Sequence, residues 1–316
     1  MIDYESYERE FETRAERRRK ARPNKSKPPK AALLPDAEAE PPSDDTGYGF
    51  HPTYKSSHHD HGEMQWIVSA LSQFYYDKLI DDVLRAVKGG KEASVYVCAA
   101  HPSTGVDFIA AKIYRPRMFR SLKNDALYRE GREVIGEEGK TIKARDQRMK
   151  RAVDKMTRFG QVLRSISWIS HEYETLQRLH AAGADVPRPY TLGESAILMT
   201  YLGDEANPAP TLNTVALERD EAHALFERVL HNLELMLAQH RVHADLSAYN
   251  ILYWEGAISL IDFPQAVDPR VNRHAEALLT RDVERVCQYF KRYGVKADAA
   301  RLAAGLWSRY MHAELG

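Results

Sequence analysis

Cysteine is scarce: the 316-residue chain has only Cys98 and Cys287, far apart and in no Cys-x-x-Cys spacing. A disulfide-built scaffold and a cysteine zinc site are thereby excluded, and the usage fits a reducing, cytoplasmic setting. No stretch approaches the roughly 20 consecutive apolar residues that cross a bilayer. The first residues (MIDYESYEREFE) are acidic where a secretory signal would be basic and then apolar. No membrane partner is expected, and no secretion. Net charge is absent too, since 45 basic side chains face 45 acidic ones, so only local charge is informative. The composition, 43% hydrophobic and 28% charged, is neither collagen-like nor wholly disordered. The length allows roughly two domains, or one domain with tails.

Local charge is uneven. Residues 14 to 30 (RAERRRKARPNKSKPPK) are basic and residues 36 to 45 (DAEAEPPSDD) acidic. Residues 1 to 62, rich in charge, Pro and Ser, read as a disordered arm. Its basic part is either a solvated tail or a nucleic-acid contact that releases counterions from phosphates. His58, His59, Asp60, His61 and Glu63 are metal-binding types, but no second cluster of fixed spacing accompanies them, and no metal site is expected there.

Beyond the arm, Trp66, Ile67, Ala70, Leu71, Phe74, Leu79, Ile80, Val83, Leu84 and Val87 recur at helical spacing. They predict one or two helices ending before Gly89 and Gly90. Residues 93 to 100 (ASVYVCAA) and 108 to 114 (FIAAKIY) read as strands joined by a turn with Pro and Gly. Residues 115 to 160 are highly charged, as a mobile loop or an exposed basic helix would be. A helical stripe follows at Trp168, Tyr173, Leu176 and Leu179, then a short strand over 197 to 202 and an amphipathic helix over 215 to 240. Two short strands near 251 to 254 and 258 to 261 precede two or three final helices.

The strongest chemical signal is His243-Ala244-Asp245-Leu246-Ser247-Ala248-Tyr249-Asn250, with Asp262 twelve positions further on in Leu260-Ile261-Asp262-Phe263. An acid, an amide five residues on and a second acid ending an apolar strand form an H-x-D-x-x-x-x-N plus D-F-G kind of set. Phosphoryl transfer needs these types, because hard oxygen ligands hold Mg²⁺ while another carboxylate orients the attacking hydroxyl and takes its proton. Asp245 is then the base, with Asn250 and Asp262 the metal ligands. Either acid alone would as readily cap a turn or end a strand; the joint spacing carries the reading.

Lys112 sits inside an apolar strand, where an unpaired ammonium is costly. Glu172, on the helix at Trp168, is its expected partner, and the pair would hold the α- and β-phosphates. Glu174 lies on another helix face, and a snorkelling edge-strand lysine is the plainer alternative for Lys112. Gly89, Gly90, Lys91 and Ser94 offer backbone amides, a charge and a hydroxyl to phosphates, although the loop has no GxGxxG string. Met199 to Gly203 would connect the lobes, with backbone groups of Thr200 and Leu202 placed to bond adenine; an ordinary core strand is the alternative.

Together G-K-E-A-S-V-Y (90 to 96), A-K-I-Y (111 to 114), W-x-x-x-E (168 to 172), H-A-D-L-S-x-Y-N (243 to 250) and I-D-x-x-Q (261 to 265) resemble the RIO family of atypical serine/threonine protein kinases. The likeness is to the type 1 branch and runs in order from about residue 65 to about 290; ordinary protein kinases usually carry a lysine where Ser247 stands. It implies an α+β, bilobal kinase-like fold, with an antiparallel sheet lobe and helix C over 63 to 204 and a reduced helical lobe over 205 to 316. It implies ATP with Mg²⁺, or Mn²⁺ in its place, and autophosphorylation or transfer to a protein substrate. Catalytic roles fall to Asp245, Lys112 and Glu172, metal binding to Asn250 and Asp262, and nucleotide binding to Gly90, Lys91, Ser94, Lys112, Met199, Thr200, Leu202, Ser247 and Asn250. Asp262 can itself accept phosphate in that family, as in an ATPase switch. The charged insert implies a flexible loop with a phosphosite, for which Ser121, Thr141, Thr157 and Ser165 are candidates. Family members act in maturation of the small ribosomal subunit, which makes its RNA and proteins expected partners.

Two departures stand out: Lys88-Gly89 where the family often has Ser-Thr, and Pro264 where many members have Ser. The first removes hydroxyls from the phosphate loop and the second a backbone N–H. The stretch after Asp262 is short and has no A-P-E string, so the helical subdomain that binds peptides in ordinary kinases is not expected. Two rival readings are a small-molecule phosphotransferase of the aminoglycoside or choline kinase type, which shares the H-x-D-x-x-x-x-N logic, and a nucleotide-gated module that docks on RNA through its basic segments.

Overall fold

The computed structural model describes residues 49–55, 61–90, 93–115 and 158–315, without side-chain detail at 61 and 158–165. The basic arm, the acidic stretch, His58, His59, Asp60, Lys91, Ser121, Thr141, Thr157 and the side chain of Ser165 lie outside that description. In chain order the elements are α1 (His61–Tyr76), β1 (Ile80–Gly89), β2 (Ala93–Ala100), β3 (Phe108–Tyr114), α2 (Arg158–Ala181), β4 (Pro189–Leu192) and β5 (Ala196–Thr200). Then come α3 (Arg219–Ala238), β6 (Ile251–Trp254), β7 (Ala257–Leu260), α4 (Ala275–Phe290) and α5 (Ala299–Met311).

The first five strands form one antiparallel sheet in the order β1-β2-β3-β5-β4, and β6 pairs with β7 in a separate hairpin. Side chains alternate along each strand, and this splits the sheet between two cores. Tyr96, Cys98, Ile109, Ala111, Ile113, Ala196 and Leu198 pack under α1 with Trp66, Ile67, Leu71 and Phe74. Ala110, Tyr114, Ile197 and Met199 instead join the larger core formed with α2, α3 and α4. The α+β architecture is the expected one. Among the described residues no helix is long and apolar enough to cross a membrane.

Two expectations are corrected. Residues 80 to 89 are a strand, not a helix. Register shifts between Ile80 and Asp82, Val83 and Arg85, and Ala86 and Lys88 interrupt the pairing with β2. Each bulge skips a residue and breaks the two-residue alternation, so Ile80, Val83, Leu84 and Val87 fall at a spacing that imitates a helix. Order also begins inside the expected arm, before residue 62. Phe50 is fully buried and stacks on Tyr75, the Tyr54 N–H donates to the Val83 carbonyl at 3.1 Å, and the Thr53 N–H donates to Asp82 at 2.8 Å. This part of the arm thus packs against α1 and β1.

Candidate active site

Strand β3 and helix α2 meet at one buried ion pair. Lys112 Nζ lies 2.7 Å from Glu172 Oε1 and 2.7 Å from Asp262 Oδ1. Glu172, with only 1% of its side chain exposed, also accepts from the Tyr114 hydroxyl and from the Phe263 N–H at 3.3 Å. Three donors thus surround a buried carboxylate that would be costly alone. Burial would lower the Lys112 pKa, but the carboxylates of Asp262 and Glu172 outweigh it and hold it above the ordinary lysine value. Partial burial would raise the Asp262 pKa, but the Lys112 ammonium holds it below the usual carboxylate range, with Lys88 adding a smaller pull. Both groups are charged at neutral pH.

Asp262 has a left-handed backbone (φ 73°), a conformation costing about 1–3 kcal/mol in a residue with a side chain. On one side of it Asp262 meets Lys112; on the other Phe263 is fully buried, its ring 4.8 Å from that of His243. Burial lowers the His243 pKa, so the ring is neutral, and its Nε2 donates to the Ile261 carbonyl at 3.1 Å. The strand end and the loop bearing Asp245 are thereby joined.

Helix α4 grips that loop through three ionisable side chains. Asp282, fully buried, accepts from the N–H groups of Ala244 at 2.7 Å and Leu246 at 3.0 Å. Arg281 donates to the Ala244 carbonyl, and Arg285 Nη1 lies 2.8 Å from Asp245 Oδ1. The Asn250 amide nitrogen donates to the Asp245 carbonyl at 2.9 Å, which leaves its Oδ1 for another partner. Asp282 is pushed up to about 7 because burial penalises its charge more than the two N–H groups relieve it. Sequence reasoning missed Tyr114, Arg281, Asp282 and Arg285. The available signal was the R-D-x-x-R string at 281 to 285, set in the apolar stripe of Leu278, Leu279, Val283 and Val286.

Opposed residues in antiparallel strands share a face. Lys112 is opposite Val95, and Val95 opposite Lys88, so the two lysines line one side of the sheet. Ser94 is opposite Ile113 and points to the α1 side, where its hydroxyl receives Arg115 Nη2 at 3.0 Å. The hydroxyl role expected for Ser94 is therefore corrected: it faces away from Lys112. Gly90 closes the β1–β2 turn, its N–H on the Ala93 carbonyl at 2.9 Å; an added Cβ would come within 2.8 Å of that oxygen. In the connector, the Thr200 N–H is taken by the Arg188 carbonyl and the Leu202 carbonyl by the Ala209 N–H, whereas the Leu202 N–H bonds no described residue. Met199 is buried on the Lys112 side, and Ser247 is half-buried in extended backbone before the turn carrying Asn250.

Among the described residues no three His, Cys, Asp or Glu side chains converge on a metal site. That suits Mg²⁺, which takes one or two protein oxygens and completes its shell with phosphate and water. Asp262, 44% exposed, and the Asn250 amide oxygen fit such a partial set.

A family model described as the RIO domain matches residues 94–302. The chain is 31% identical over 230 residues to the serine/threonine-protein kinase RIO1 of Chaetomium thermophilum, covering 69% of this chain and 41% of that protein. It is 32% identical over 217 residues to the serine/threonine-protein kinase rio1 of Schizosaccharomyces pombe, covering 67% and 39%. A RIO-type serine/threonine-protein kinase Rio1 of Thermoplasma acidophilum is 32% identical over 135 residues, 43% of this chain and 69% of that protein. The chain thus spans about two fifths of the length of the two fungal relatives. With the family model covering well over half of the sequence, and with the expected type 1 likeness present, the chain belongs to the RIO family of atypical serine/threonine kinases.

Proposed function

We propose that the protein transfers phosphate from ATP to serine or threonine hydroxyls, its own or those of a protein substrate. The observation that carries this reading is the Lys112 ammonium bridging Glu172 and Asp262, with Asp245 held nearby on a braced loop. Glu172 fixes Lys112 where its charge can neutralise phosphate oxygens. Lys88, on the same sheet face, supplies charge in a loop without the family's usual hydroxyls. The connector offers the Leu202 N–H and the Thr200 carbonyl to adenine, and Met199 an apolar wall. Asp262 and Asn250 would hold Mg²⁺, which, when bound, offsets charge on the phosphates. Asp245 accepts the proton of the attacking hydroxyl and orients it.

Asp262 as a transient phosphate acceptor is a second fate for the same phosphoryl group and would give slow ATP hydrolysis. Docking on small-subunit ribosomal RNA rests on the family likeness and the basic segments. Binding to that RNA that weakens as salt is raised supports this partner; salt-independent or absent binding removes it. For the central reading, Asp245→Ala is expected to lower phosphoryl transfer by about 10² to 10⁴ with ATP affinity retained. Near-wild-type turnover in that variant contradicts the assignment.

A further inference from the structure

The loop that carries Asp245 contains no lysine or arginine from 243 to 250, and its histidine is buried and neutral. A cation nevertheless reaches Asp245 from another element. Arg285 Nη1 is 2.8 Å from Asp245 Oδ1, while Asp245 Oδ2 bonds no described residue. We propose that Arg285 is a positioning residue for phosphoryl transfer, holding one oxygen of Asp245 so that the other meets the acceptor hydroxyl. The inference rests on the phosphotransferase reading above and deepens it.

The pair differs from a casual surface ion pair in how its partner is fixed. Residues four apart on a helix share a face, and Arg281 and Arg285 do so on α4, with Asp282 beside them. Arg281 and Asp282 grip the backbone of Ala244 and Leu246 on either side of Asp245. The carbonyl of Asp245 is held by Asn250. With the main chain pinned at these points, the remaining freedom of Asp245 lies in its side-chain torsions, and Arg285 restrains those. Displacement of a catalytic group by about 1 Å can cost about 10²-fold in rate. Its effect on stability is expected to be slight, because the two side chains are 38% and 42% exposed and exposed pairs contribute little. Rate and stability are therefore separable readouts.

The test uses the full chain, with Arg285→Ala and Arg285→Lys in wild-type and Asp245→Ala backgrounds, measuring ATP-dependent phosphoryl transfer and Tm. Arg285→Ala is expected to lower kcat about 10- to 100-fold with KM for ATP and Tm unchanged. Arg285→Lys should recover part of the rate, and Arg285→Ala should add no loss where Asp245 is already absent, since the two act as one unit. A kcat within twofold of wild type overturns the inference, as does an equal loss in the Asp245→Ala background or a loss that follows Tm. An inactive wild type overturns the phosphotransferase reading itself. An active wild type that depends on Asp245 but not on Arg285 overturns only the role of Arg285.

Discussion

Asp282 sits fully buried beneath the loop that carries Asp245, accepting two backbone N–H groups, and burial pushes its pKa up to about 7. The unfolded chain releases that proton near the ordinary value of 3.8. Between about pH 4 and 7 the folded state therefore binds more protons at this group than the unfolded state, and stability at this site rises as pH falls through that window. Asp282→Asn removes the titration, so the Tm of wild type relative to the variant should increase from pH 7.5 to pH 5. A constant or opposite difference in thermal melts would show that Asp282 is ionised in the native protein. At this scale the sequence was legible where partners carried a spaced pattern. Lys112 and Glu172 could be matched because a cation in an apolar strand demands a carboxylate. The face that Ser94 takes is not legible in a loop string; it is set by the register opposite Ile113.

Helix α2 turns a local pattern into a positioned carboxylate. Leu176 follows Glu172 by four residues on the same face and is 1% exposed in the larger core, so the packing that anchors the helix also aims the glutamate. Leu176→Ala is expected to cost about 2–5 kcal/mol, read in urea as a lower midpoint with unchanged slope. A loss under about 1 kcal/mol would mean that α2 is held elsewhere. Elements with regular periodicity, such as β2, β3 and α3, were readable from composition and spacing. Strand β1 was not, because its bulges replaced alternation with helix-like spacing. Helix α4 was foreseen only as a helix. Its docking on the loop depends on residues about 40 positions apart, a relation that local periodicity does not encode.

Across the whole molecule, Lys112 of the sheet bonds Asp262, which follows the β6–β7 hairpin, and so ties the sheet to the segment after that hairpin. Arg85 of β1 adds a second tie, donating to the Tyr201 hydroxyl at 2.8 Å and the Glu205 carbonyl at 3.1 Å. The turn it holds needs Gly203, whose φ of 133° and close neighbours exclude a side chain; an added Cβ would come within 2.4 Å of the Asn207 carbonyl oxygen. Sheet, connector and loop thus hold Lys112, Asp245 and Asp262 in one arrangement, and phosphate transfer is the chemistry expected of it. The direct measurement is incubation of the full chain with γ-labelled ATP and Mg²⁺ beside its Asp262→Ala variant, following protein-bound label and free phosphate together. Label or phosphate release is expected from wild type, with about 10²-fold or greater loss of both in the variant. Silence of wild type in both channels despite bound ATP, or undiminished turnover in Asp262→Ala, would contradict it.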